Sequence, residues 1–72
     1  MRERRPDLLV ELCRELDALA RSEEDEAAFE AAGVPYWLPV PPSVAAHRRA
    51  AQKLHDVARR LESEARAWQF AT

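Results

Sequence analysis

A chain of 72 residues has room for one small domain, and its 47% hydrophobic content overstates the core because fourteen of those residues are alanine. The net charge of −2 argues against broad nucleic-acid binding, which draws on a net basic domain. A single cysteine, Cys13, excludes an internal disulfide, no His/Cys cluster suits a structural zinc, and no run approaches the roughly 20 apolar residues of a membrane helix.

The N-terminal residues Met1-Arg2-Glu3-Arg4-Arg5 are charged, and no apolar signal-peptide core follows them. The chain therefore reads as soluble and cytoplasmic, with no membrane segment and with residues 1–5 frayed. A first helix is expected over residues 6–32. Pro6 suits the first helical position, where its missing N–H costs nothing, and Asp7 and Glu11 lie near the positive end of the helix dipole. Leu9, Leu12, Cys13, Leu16, Leu19 and Ala20 then follow a three-four spacing that draws one apolar stripe.

Two readings compete at Ser22-Glu23-Glu24-Asp25-Glu26. Ser-x-x-Asp is a relative of the capping box, and a run of acids is better placed at the start of a helix than at its end, so a break near Ser22 is one option. Against it, Cys13, Ala20 and Ala27 repeat every seven positions straight through the acidic run. A continuous helix would be about 40 Å long and would match the second helix, so continuity is preferred. Gly33 is expected at the left-handed position after the helix, with Phe29 touching Val34 in a Schellman motif, and Pro35 prevents continuation.

Residues 33–42 form a connector that carries Val34, Tyr36, Trp37, Leu38 and Val40 between prolines 35, 39, 41 and 42. Prolines hold the backbone extended, which reduces the entropy lost when such a segment docks. Tyr and Trp are the residues most enriched at binding hot spots, so Tyr36, Trp37 and Leu38 are the candidate partner-binding residues. The structural alternative is that these side chains fold back and cap the open end of the helix pair.

The second helix is expected over residues 43–70, with Ser43 as N-cap. His47, Leu54, Leu61 and Trp68 repeat every seven residues, and so do Ala51, Ala58 and Ala65. Small-residue columns on both helices point to a close antiparallel contact. The two halves also differ in charge. Residues 1–33 carry five bases and ten acids, a net −5, whereas residues 34–72 carry six bases and three acids, a net +3. An acidic helix against a basic one suits a hairpin, and suits a symmetric dimer equally.

The predicted fold is thus all-α: a single-domain antiparallel helical hairpin. A chain this short commonly needs a staple, a metal or a partner chain; self-association or unusually regular helix packing is open here, and a dimeric four-helix bundle is expected.

No constellation of residues supports catalysis, a cofactor or a metal. Cys13 falls on the apolar stripe, where a free cysteine behaves as a small hydrophobe. His47 and His55 are two turns apart, about 12 Å, too far to share one ion, and His47 is expected to hydrogen-bond the connector. Arg48, Arg49, Lys53, Arg59, Arg60 and Arg66 flank the apolar stripe of the second helix, and several of them can pair with acids of the first. The long proline-rich connector does not fit a helix-turn-helix.

The sequence therefore points to a small non-enzymatic regulatory or adaptor protein that acts by protein–protein contact. Arginine outnumbers lysine ten to one and isoleucine is absent, a bias of GC-rich genomes, so a bacterial or phage-encoded inhibitor of a larger protein such as a transcriptional regulator is one expected form. A nucleic-acid-associated protein using the basic flanks of the second helix is the alternative.

Overall fold

Two long helices, α1 (Arg5–Ala32) and α2 (Pro42–Ala71), pack along each other in opposite directions in the computed structural model. It describes the backbone of residues 5–71 and the side chains of residues 7–68. Residues 1–4, expected to fray, lie outside the described residues, and α1 already takes in Arg5. The hairpin is a rod of 60 × 15 × 12 Å. Its radius of gyration is 16.9 Å, against roughly 11 Å for a compact chain of this length, so no residue can lie far from solvent.

Helix α1 runs without interruption through Ser22 and the acidic residues that follow. The seven-residue column outweighs the local capping signal, because burying Cys13, Ala20 and Ala27 on one face requires a single helical phase. Placing acids late in a helix is a small electrostatic cost at an exposed site.

Both helix ends at the connector differ from expectation. Gly33 has no positive φ, so no left-handed residue closes α1. Instead Gly33 N–H donates to Glu30 C=O and Val34 N–H to Ala31 C=O, each at 3.2 Å, which tightens the last turn into three-residue spacing. Phe29 is 84% exposed and does not act as a hydrophobic cap. A Cβ at position 33 would meet only ordinary contacts, the closest being Glu30 O at 3.6 Å. At the other end α2 begins at Pro42, in the first helical position that tolerates proline, and Val44 N–H donates to Pro41 C=O. Ser43 is therefore inside the first turn rather than its N-cap, and its hydroxyl bonds the Glu30 carboxylate across the hairpin.

The core is a seam of small side chains. Cys13, Ala20 and Ala27 of α1 meet Val44, Ala51, Ala58 and Ala65 of α2, and these are the buried hydrophobic residues. Methyl-sized side chains let the two backbones approach at the short end of the usual 8–10 Å range. The closeness has a direct marker: the Cys13 thiol donates to the Ala58 backbone carbonyl on the opposite helix at 3.2 Å. Such a seam buries little area. Among the described residues no side chain larger than valine is fully buried, while Leu9, Leu16, Leu54, Val57, Leu61 and Trp68 are half-buried along its edge.

Candidate functional site: the aromatic connector and the flanks of the hairpin

Between the helices, Pro35 starts a turn closed by Leu38 N–H donating to Pro35 C=O at 3.0 Å. Tyr36 and Trp37 occupy its two central positions. Their rings meet edge to face, with centroids 5.1 Å apart and planes at 85°, a favoured aromatic geometry. Tyr36 is 95% exposed and Trp37 70%, and Leu38 and Val40 are also exposed. The rings do not fold back to cap the hairpin. Leu38 and Trp37 instead form the outer surface of a turn whose backbone freedom is limited by Pro35 and Pro39. Next to this end, Ser22, Asp25, Glu26 and Phe29 line a shallow open depression on α1.

One flank of the seam is polar, and the other carries leucines over the half remote from the connector and the His47–Glu23 pair nearer to it. Two histidines supply the cross-helix electrostatics. His47 Nδ1 bonds the Glu23 carboxylate of α1, not the connector. His55 lies between two carboxylates, with Nδ1 3.1 Å from Asp17 and Nε2 3.0 Å from Glu24. An imidazole can donate from both nitrogens only when protonated. Hydrogen bonding to these carboxylates accordingly raises both pKa values above the ordinary 6.5, against partial desolvation that lowers them.

This arrangement fixes a pH dependence. A histidine whose pKa is higher folded than unfolded adds stability that is fully present below the unfolded value, near 6.5, and lost as pH rises through the folded value. The melting temperature is expected to fall as pH rises from about 6.5 through the raised folded-state values of His47 and His55. A His47→Gln/His55→Gln variant should show a flatter profile over that window. An equal slope in wild type and variant would show that the histidines do not titrate with folding.

The arginines pair differently from expectation. Arg59 bonds Asp56 and Arg66 bonds Glu62 within α2, and Arg14 bonds Glu11 at 3.0 Å within α1. Near-neighbour pairs on one helix win because a long side chain reaches a partner three or four residues away at little geometric cost. Arg48, Arg49, Lys53 and Arg60 have no ion-pair partner among the described residues. The histidine pairs were open to discovery from the sequence, since antiparallel register about the connector sets His47 opposite Glu23 and His55 opposite Asp17. Spacing along a single helix does not reveal them.

Cys13 is buried, and burial pushes its thiol pKa up, with the charges of Glu62 and then Asp17 acting in the same direction. A thiol so placed is a poor source of thiolate. Among the described residues no group of three His, Cys, Asp or Glu side chains converges as a metal site. Asp17 and Glu24 approach opposite nitrogens of His55, which separates them too far to share an ion. Among the described residues no helix is long and apolar enough to cross a membrane.

Neither a protein-family model, nor a curated protein, nor a solved structure matches this chain.

Proposed function

We propose that this chain is a small non-enzymatic regulatory or adaptor protein that acts by protein–protein contact, working as a homodimeric four-helix assembly. The observation that carries the reading is the exposure of Tyr36 and Trp37 on a proline-bracketed turn at the tip of the rod. Adjoining exposed aromatic rings are the kind of apolar surface that marks an interaction site, and a stiff turn loses little entropy on docking. Tyr36, Trp37 and Leu38 are the contact residues in this reading. Binding and inhibition of a larger host protein in the bacterial cytoplasm, such as a transcriptional regulator, by a bacterial or phage-encoded chain is the form of activity that suits a module of this size.

The test is affinity capture from the source cell with wild-type and Trp37→Ala baits of equal helicity. Removing a hot-spot tryptophan should weaken capture of the specific partner by at least about tenfold. Equal capture by both baits would remove the connector from the interface.

A second reading rests on Arg48, Arg49, Lys53 and Arg60 along α2, which have no ion-pair partner among the described residues. Nucleic-acid association through them must weaken steeply with salt. Absence of duplex DNA binding at low salt would eliminate it.

A further inference from the structure

The seam between the helices has two unlike sides, and the cross-helix contacts assign residues to each. Asp17 and Glu24 share one seven-residue column of α1 and both bond His55, so that side is polar. Leu9 and Leu16 share a column with Glu23, while Leu54 and Leu61 share a column with His47. Since Glu23 bonds His47, these two columns lie together on the other side of the seam. All four leucines are half-buried there, and one step further out on α1 lie Leu12 and Leu19, 50% and 53% exposed. The hairpin therefore carries one continuous leucine face over the half remote from the connector.

The charges at the edges of this face say what covers it. Beyond Leu12 and Leu19 the edge of α1 carries Glu15, and the corresponding edge of α2 carries Lys53 and Arg60. None of the three has an ion-pair partner among the described residues. The Cys13–Ala58 and Asp17–His55 contacts set residue 15 level with residue 56, midway between Lys53 and Arg60. The face is thus complementary to itself, provided that α1 of one copy lies over α2 of the other.

We propose that a second copy of the chain covers the leucine face through a two-fold axis parallel to the helices, bringing both connectors to the same end of a four-helix bundle. Each α1 then packs antiparallel on the other copy's α2, and each Glu15 falls between Lys53 and Arg60 of the second copy. A two-fold axis across the helices would instead lay α1 on α1, setting Glu15 against Glu15 and the acidic halves together. That alternative sends the connectors to opposite ends. Like charges directly opposed across an interface disfavour it. The inference rests on the homodimer of the proposed function and deepens it, because Tyr36 and Trp37 of both copies then form one composite aromatic tip.

The experiment places a spin label at position 39 in a Cys13→Ala, Pro39→Cys chain and measures the inter-label distance in the purified full-length protein. Connectors at one end should give about 20–30 Å, roughly two helix diameters. A separation near the 60 Å length of the rod overturns the arrangement while leaving the homodimer standing. A sedimentation result showing a well-folded monomer at micromolar concentration overturns both. Charge reversal supplies an independent arm. Glu15→Lys should weaken dimerisation by about tenfold, and adding Lys53→Glu and Arg60→Glu should restore it. Failure of the triple variant to recover dimerisation, with helicity retained, also overturns the proposed pairing of helices.

Discussion

Substituting Ala20 by leucine is expected to lower the melting temperature by about 10–20 °C and to broaden the transition, the largest effect of any single side chain in this hairpin. Ala20 is fully buried in the seam, opposite the Ala51 level of α2. Its methyl fits because the two backbones are close, and three more carbons have no void to enter. The helices must then separate along their length, which also breaks the contact of Cys13 with the Ala58 carbonyl. Overpacking of this kind costs about 1–3 kcal/mol. A single core in a chain of this size rarely supplies more than about 3–5 kcal/mol, so the loss is a large share of the total. Ala18→Leu is the matched control, since Ala18 is exposed on the same helix and leucine is nearly as good a helix former as alanine. Circular dichroism melts of the two variants decide the matter: equal melting temperatures would show that the small-residue seam is not what holds the helices together.

Asp25→Pro is expected to be at least as damaging, for a backbone reason. In a continuous α1 the Asp25 N–H donates to the carbonyl four residues earlier, and proline removes that bond and clashes with the same carbonyl. The cost is about 3 kcal/mol or more in a helix interior. Had a new helix started after Ser22, position 25 would lie in its first turn, where N–H groups lack intrahelical partners and proline is tolerated. Asp25 is exposed and has no ion pair among the described residues, so Asp25→Ala isolates any loss of the side chain. A proline variant that melts like the alanine variant would place a break in α1 after all.

These two substitutions also mark how much could be read before the structure. The hairpin, its helix limits to within a residue or two, and the seam itself were legible, because Cys13/Ala20/Ala27 and Ala51/Ala58/Ala65 repeat at a period only a packed helix pair explains. The continuity of α1 at Ser22 was legible as a preference, with a local capping signal opposing a long-range column. The helix ends were misread at Gly33 and Ser43. Glycine permits a left-handed turn without requiring one, and serine competes as an N-cap only when no proline already starts the helix.

The candidate site divides in the same way. Aromatic residues bracketed by prolines announce a connector worth testing, yet nothing local distinguishes rings that turn inward from rings that face solvent. That choice depends on whether the end of the bundle has room for them. In a seam built of methyl groups it has none, and Tyr36 and Trp37 stay outside.

By itself, then, the sequence determined the two helices, their antiparallel pairing and the small residues between them, since each follows from periodicity along one chain. Tertiary packing was needed to show which cations lack an ion pair among the described residues and which side of the seam is leucine-rich. Those properties depend on the register and rotation of one helix against the other, which no single helix contains.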